Sequence, residues 1–475
     1  MSKFYKISDI DKLTISEIKQ LYKDYINPEQ VNIYNAFDYN DDIFEKAEGV
    51  YIFTKDGKKI LDLTGGLGVL NHGHNHKSII EERIKFQKKN KIEINKLNLS
   101  PYVAALGHNI SILLNHKLKK TYFVNSGAEA NEGAIKMAYA SYKNKRDYII
   151  SASNSFHGKL IATGTITGSL KHLDFPKMKN VKFFEYNNFE SLVKTINCVR
   201  KRKNECNVYA VIIEPFIAQS LVGYDEHFIK KTRKLCDDEN ITLIFDEVYC
   251  GWGKTGHVFS FQRYKYYPDI LTFSKSFGGG KSSISGYIAK DHVFKKAYGN
   301  KQSALLHTST YNGFAEECVT AIEAINILVE NDYPQKANQI GFVLLKSLND
   351  LKLKHPDSIK EIKGMGALYG VSFYSPLDIF TNFFKNIPVT FIQNKKEFIE
   401  KITIGSIINH LYSNYNILTT VTLNPGNPLL SVSPSLVITN ENIKYFIDSL
   451  DKTLQIGLGK LVFNFIKTNL YKLLQ

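Results

Sequence analysis

From about residue 65 to residue 325, short and continuously apolar runs alternate with segments of helical pattern. The clearest runs are TYFVN (121–125), DYIIS (147–151), VYAVIIE (208–214), ITLIFDE (241–247) and DILTFS (269–274). A strand with one wet face alternates apolar and polar residues, whereas a strand covered on both faces does not. Unbroken apolar strands separated by helices therefore predict an α/β unit with a mostly parallel sheet. Other segments surround this unit. Residues 1–30 are polar and helical in pattern, closed by Asn27-Pro28. GVYIFTKDGKKILDLT predicts a β-hairpin turning at Asp56-Gly57. After a helical stretch near 315–350 the pattern becomes α+β, with GALYGVSFY as a strand. No internal repeat or low-complexity linker interrupts the chain.

A chain of 475 residues has room for two or three domains of ordinary size. Its formal net charge of +15 comes mostly from lysine, and the last arginine is Arg263. The lysines are spread out rather than clustered with aromatics, which argues against nucleic-acid binding. The five cysteines (Cys198, Cys206, Cys236, Cys250, Cys318) include no CxxC spacing and read as free thiols of a reducing compartment. The N-terminus MSKFYKISDIDKLT has no signal-peptide apolar run, and no stretch is long enough to span a bilayer. A cytoplasmic location is expected.

Four segments carry chemistry. VNSGAEANEGAIK ends a strand, turns at Ser126-Gly127 and enters a helix with a capping box from Ser126 to Glu129. Such a helix start can bind an anion or can be an ordinary cap. SNSFHGK (153–159) puts an aromatic ring and an imidazole after another strand. Phe156 could stack on a planar ligand or pack in a turn. LIFDEVYCGWGKTG sets Asp246 and Glu247 at the end of a buried strand, where a charge needs a partner. A magnesium-binding carboxylate, a partner for a protonated heteroaromatic nitrogen and a structural salt bridge all fit.

The fourth segment, FSKSFGGGKS (273–282), offers two lysines. A phosphate-binding P-loop needs G-x-x-x-x-G-K-[ST] leading into a helix. The GKS ending is present, but position 275 is lysine where the first glycine belongs, and the following SSISGYIA reads as a strand. Lys275 instead ends the DILTFS strand on the sheet edge that carries Asp246. An amine there can condense with an aldehyde cofactor, and burial lowers its affinity for protons. Lys275, Asp246, Phe156 and Ser126-Gly127-Ala128 together supply what pyridoxal 5'-phosphate requires: a lysine, an acid for the ring nitrogen, a stacking ring and a phosphate cup.

The segments SGAEANEGAIK, FHG, IEP, FDEVYCGWGKTG, PDILTFSKSFGGG and HTSTYNG occur in one order between about residues 45 and 450. In that order and spacing the chain resembles the class III aminotransferases, the ornithine, acetylornithine and ω-amino acid transaminases of pyridoxal-phosphate fold type I. The resemblance implies a large cofactor-binding domain (65–325) with a mostly parallel sheet and a smaller α+β domain (326–454). Residues 1–64 would join the small domain, and 455–475 would form an amphipathic tail.

It also implies roles. Lys275 would hold the cofactor and later act as general base, while Asp246 would face the pyridine nitrogen. Val248 and Phe156 would cover opposite ring faces. Ser126, Gly127 and Ala128 would hold the phosphate. Thr310 would reach the phosphate of a neighbouring subunit's cofactor, which makes a homodimer the working unit. His157 and Glu214 would complete the cofactor site. The activity implied is ping-pong transfer of an amino group between small-molecule amine and carbonyl substrates. A mutase, another enzyme of the same fold, or a non-catalytic dimer built on it is the alternative.

One departure bears on the substrate. The family's R-x-x-P-P-L motif grips a substrate α-carboxylate with its arginine. Here the stretch is Ser431-Val432-Ser433-Pro434-Ser435-Leu436, with serine in the arginine's place. The glutamate that pairs with that arginine in some members is replaced by Gln219, in IEPFIAQS. Loss of both partners together leaves no unpaired buried charge. The expected substrate is therefore an amine, diamine or ω-amino compound without a clamped α-carboxylate; a classical substrate held by a different clamp is the alternative. In the tail, Leu458, Leu461, Val462, Phe465 and Leu473 fall at helical spacing. This predicts a helix packed on the small domain, or a basic amphipathic helix touching a membrane.

Overall fold

A computed structural model describes residues 4–35, 41–94, 96–376, 395–422 and 427–474. Seven strands form the central sheet, in the spatial order Lys120–Val124, Ser285–Ala289, Ile270–Phe273, Thr242–Asp246, Val208–Ile213, Tyr148–Ala152 and Val181–Phe184. Ser285–Ala289 runs antiparallel to both of its neighbours, and the other pairs are parallel. Every strand predicted in this unit is present, with ends shifted by one or two residues.

The strands read as unbroken apolar runs because both faces are covered. Ile149, Ile212, Ile244 and Ile270 point into one core with Ala134, Met137 and Ala138 of the helix Gly127–Ala140. Their neighbours Ile150, Val211, Ile213, Leu243, Phe245 and Leu271 point into the larger core on the opposite face. Burying each such side chain stabilises the fold by about 1.5–3 kcal/mol. The segment after the glycines of FSKSFGGGKS is the strand Ser285–Ala289, so no helix follows the GKS sequence.

The Tyr51–Thr54 and Lys59–Asp62 strands form the predicted hairpin, and Lys59–Asp62 also pairs in parallel with Ile417–Leu418. A separate antiparallel sheet contains Ile359–Met365, Leu368–Phe373, Leu430–Val432 and Thr420–Val421. Pro28 does more than close the N-terminal helical segment. It opens a further helix, Pro28–Asn35, because a proline at the first helical position forfeits no intrahelical bond. The helical stretch near 315–350 is two helices, Ala315–Glu330 and Tyr333–Lys354. They part at Asp332, which adopts φ +44° and accepts a hydrogen bond from the Gln335 N–H.

The tail is the helix Leu458–Leu474. Its Val462, Phe465 and Ile466 pack with Ile402 of the helix Lys395–Tyr415, and the side chain of Leu473 lies outside the described residues. Among the described residues, no helix is long and apolar enough to cross a membrane.

Candidate functional site

The chemistry-bearing segments gather where the parallel strands end. Ser126 follows Lys120–Val124, Phe156 and His157 follow Tyr148–Ala152, and Glu214 follows Val208–Ile213. Asp246 closes its own strand opposite Thr272 of Ile270–Phe273, and Lys275 lies three residues beyond Thr272. Open α/β sheets bind ligands at this carboxyl edge.

Asp246 is 3 % exposed and held on both oxygens. Its Oδ2 accepts from Asn131 Nδ2 at 2.7 Å and from His157 Nδ1 at 2.7 Å. Its Oδ1 accepts from the Val248 N–H at 2.9 Å. The Thr272 hydroxyl is 3.4 Å from Oδ1 but 2.7 Å from Asn131 Oδ1. A hydroxyl has one proton, and the shorter contact takes it. Oδ1 therefore keeps an open lone pair for a further donor. Among the described ion pairs the only ionisable partner of Asp246 is His157, and that contact is a salt bridge only when the imidazole is protonated. Glu247, its neighbour, has a separate task. It accepts from the Ser260 and Phe261 N–H groups at 2.9 and 2.7 Å and from Cys250 Sγ at 3.0 Å, and burial pushes its carboxyl up to about 7. Among the described residues, no group of three or more His, Cys, Asp or Glu could hold a metal ion.

Lys275 adopts φ +53°, a left-handed conformation that costs a non-glycine residue about 1–3 kcal/mol and collects at functional sites. Its Nζ donates to the Leu67 carbonyl at 3.2 Å and lies 4.9 Å from the centroid of the Tyr249 ring. Burial lowers its proton affinity, opposed by the charges of Asp246 and Glu214. Lys281 is turned away, with its Nζ on the Asn75 side chain. Its glycine neighbour Gly280, at φ +73°, passes so near Leu70 that an added Cβ would lie 2.7 Å from Leu70 Cδ2.

Ser126 caps the helix Gly127–Ala140 through Glu129, as the spacing predicted, and Gly127 and Ala128 open it. N–H groups at this end lack intrahelical acceptors and form the positive pole of the helix. Gly127 also lies against Val248, where an added Cβ would meet Val248 Cγ1 at 2.7 Å. Glu214 accepts from the Phe156 N–H at 2.8 Å, and burial, with the nearby Asp246 charge, raises its carboxyl well above the usual range.

Thr310 stands exposed between the helices Asp291–Tyr298 and Ala315–Glu330. Among the described residues no hydrogen bond links it to the group at the strand ends. Ser431 lies in the antiparallel sheet opposite Gly370 and Thr420, 5 % exposed. Buried Gln219 Oε1 has no partner among the described residues. Arg263, the last arginine, is committed elsewhere. It donates to the Tyr224 carbonyl at 2.8 Å and stacks 4.2 Å from the centroid of the Tyr264 ring.

Sequence reasoning passed over Asn131, Thr272, Tyr249 and Lys254. Asn131 and Thr272 each carried a signal: a polar residue among the apolar positions of a buried helix face and of a buried strand.

Comparison with known proteins agrees with this arrangement. The aminotransferase class-III family model matches residues 37–454. An acetylornithine aminotransferase of Methanocaldococcus jannaschii is 32 % identical over 419 residues, spanning 86 % of this chain and 92 % of the relative. Two solved structures share the fold at lower identity. A transaminase from the marine bacterium Virgibacillus has TM-score 0.79 and 19 % identity, over 94 % of this chain and 99 % of that one. An ornithine aminotransferase from Toxoplasma gondii, described with PLP at partial occupancy in its active site, has TM-score 0.77 and 21 % identity, over 95 % and 98 %. With the family matched along most of its length and its cofactor-type residues collected on one sheet edge, this chain belongs to the class III aminotransferases, enzymes that use pyridoxal 5'-phosphate.

Proposed function

We propose that this aminotransferase acts on a primary amine without a clamped α-carboxylate, such as a diamine or an ω-amino compound. The observation that carries this reading is Ser431 in the position of the family's arginine, paired with the loss of the acid at Gln219. The remaining arginines offer no substitute downstream, because none follows Arg263.

The donor set at the strand ends fits the cofactor. Asp246 has an open lone pair for the ring nitrogen, and Asn131 and His157 orient its carboxylate. Val248, brought close by the missing Cβ of Gly127, offers one apolar face, and Phe156 the other. Ser126, Gly127 and Ala128 would hold the phosphate at the helix start. Glu214 fixes the chain at Phe156 through its N–H. When bound, the cofactor supplies an electron sink for charge developing on the substrate carbon.

Lys275 would hold the cofactor through its amine and, once displaced by substrate, would take the proton from the substrate carbon and deliver it to the cofactor's carbon on the other side of the shared nitrogen. Its lowered proton affinity keeps a larger share of the amine neutral, as a base must be. The Asp246 charge, buried beside it, favours a protonated ring nitrogen.

We also propose a homodimer in which Thr310 reaches the neighbouring subunit's site. Its exposure on the single chain supports this reading. In the same reading residues 65–325 form the cofactor domain. Residues 1–64 and 326–454 form the small domain, a grouping supported by the pairing of Lys59–Asp62 with Ile417–Leu418. The free thiols suit a cytoplasmic location.

Steady-state kinetics with diamines and ω-amino compounds, against glutamate and 2-oxoglutarate, test the substrate reading. Diamines or ω-amino compounds are expected to give the higher kcat/KM as donors. Efficient, saturable use of glutamate and 2-oxoglutarate at low concentration would sink it. The second reading, an acetylornithine-type substrate held by another clamp, is favoured by the named Methanocaldococcus relative and would give that result.

A further inference from the structure

Tyr249 belongs to the turn after Thr242–Asp246, two residues past the Val248 N–H donor's neighbour Glu247. It is half-buried, and its position is fixed from three sides. Gly68 passes beside its ring, where an added Cβ would lie 3.1 Å from Tyr249 Cε2 and 3.5 Å from Lys275 Cδ. Its hydroxyl stands 3.5 Å from Ser433 Oγ, and its ring packs on the cluster of Phe216, Leu221, Cys250, Leu368 and Leu429. The ring centroid is 4.9 Å from Lys275 Nζ, inside the range where an aromatic face attracts a cation.

We propose that Tyr249 is a positioning residue for Lys275: its ring face holds the lysine's amine beside the Leu67 carbonyl once that amine carries a proton. The inference rests on Lys275 being the reacting lysine. The proton that Lys275 would take leaves a substrate C–H bond whose electron pair passes into the electron sink the bound cofactor would supply, and the lysine would deliver the same proton to a carbon of the cofactor, so the step needs no oxidant or external acid. Between those events the lysine is a cation in a partly buried site. The Leu67 carbonyl accepts one of its three N–H bonds, and the Tyr249 ring faces the charge. The ionisable groups that act on Lys275 are Asp246 and Glu214; a negative charge on either favours its protonated form, and burial with the nearby Asp246 charge favours the neutral form of Glu214. Burial raises the Tyr249 hydroxyl above its ordinary range, so the ring stays a neutral phenol and acts through its face.

The test compares full-length protein carrying Tyr, Phe or 3,4,5-trifluorophenylalanine at position 249. Phe and its trifluoro form have nearly the same shape, but fluorination removes the negative ring face. The protonation midpoint of Lys275 is read before cofactor is added, by pH-dependent labelling with an amine-reactive reagent and mass spectrometry of the Lys275 peptide. Tyr and Phe proteins are expected to titrate together, and the trifluoro protein about 0.5–1 pH unit lower. In the loaded enzymes, kcat is expected to fall about 3- to 10-fold in the trifluoro protein with KM unchanged. Coincident midpoints for the Phe and trifluoro proteins would overturn the proposal. Failure of the underlying reading is visible separately, as a Lys275→Ala protein that stays yellow and active.

Discussion

Asp246 and His157 meet through Oδ2 and Nδ1 at 2.7 Å, both buried, one at the end of its strand and the other in the loop after a strand two places away. An ionised carboxylate only accepts, so Nδ1 carries the hydrogen and the imidazole's Nε2 faces Ser151 Oγ at 3.1 Å. The His157 N–H in turn donates to Thr167 Oγ1 at 2.8 Å, so the loop that carries Phe156 is tied at its backbone as well. The acid is thus oriented by three donors on three different segments before any ligand arrives.

Asp246→Asn turns that arrangement against itself. The new amide NH₂ would face both Asn131 and His157 in the place of Oδ2, or the Val248 N–H in the place of Oδ1, and either way sets donor against donor in a buried site. A loss of about 1–3 kcal/mol in folding stability is expected, read from urea denaturation. Transaminase kcat/KM is expected to fall by about 10²-fold or more, since in the proposed role of Asp246 the ring nitrogen would lose its anionic partner. Asn131→Leu, which removes one donor and keeps the charge, is expected to cost stability by a similar amount and activity by less.

Lys275→Ala tests the lysine assignment directly. The wild-type protein is expected to be yellow after incubation with pyridoxal 5'-phosphate, and the variant to lose that absorbance and all measurable turnover. Lys281→Ala serves as the internal control. Its amine is engaged with Asn75, so colour and kcat are expected to stay within about 2-fold of wild type.

Lys254 makes stability depend on pH in an unusual direction. The side chain is 1 % exposed, and its Nζ donates to the Ser433 carbonyl at 3.1 Å and to the Pro434 carbonyl. Burial lowers its pKa to about 7, against 10.5 for the free group. Between those values the unfolded chain binds a proton that the folded chain does not. Stability from this residue therefore rises with pH from about 7 towards 10.5 and is lowest at and below 7. Lys254→Met lacks the effect. The unfolding free energy of wild type minus that of the variant is expected to climb by about 1.4 kcal/mol per pH unit across the window, measured by urea denaturation at pH 7, 8 and 9. A flat difference would show that the amine is neutral in neither state.

The central sheet was legible because burial on both faces leaves an unmistakable trace: Val208–Ile213 and residues 243–245 are unbroken apolar runs, each followed at once by a carboxylate, Glu214 or Asp246. The cofactor-type residues were legible for a related reason, since Asp246 and Lys275 interrupt that pattern where a sheet binds ligands. The polar partners were not. Asn131 contacts Asp246 across 115 positions of sequence, and Tyr249 meets Ser433 across 184. Such contacts depend on how strands from distant segments are ordered, and no local spacing encodes that order. Thr310 belongs to a third kind. Its proposed partner is on another subunit, so a single chain gives it only an exposed position.

Ser431 and Gln219 offer the sharpest test of the substrate reading, because restoring the missing charges one at a time should fail where restoring both succeeds. Ser431 is buried in a paired strand, and Gln219 carries a buried oxygen without a partner. Ser431→Arg alone places a long cation there with no acid opposite it, and a drop of about 3–5 kcal/mol in stability is expected. Gln219→Glu alone buries an unpaired carboxylate and is expected to destabilise as well. In the proposed reading the two positions face each other as the family's arginine and glutamate do, so in the double variant each charge would neutralise the other and the two penalties should not add. A favourable coupling of about 1–3 kcal/mol is expected in a double-mutant cycle of urea denaturation. Glutamate should then become a better donor, with kcat/KM raised about 10-fold or more over wild type and most of the gain in KM, since a guanidinium can grip a carboxylate with two N–H bonds. Diamine turnover should not rise with it. A double variant whose penalties simply add, and whose use of glutamate stays at the wild-type level, would mean that position 431 does not face the substrate and that the amine preference has another origin.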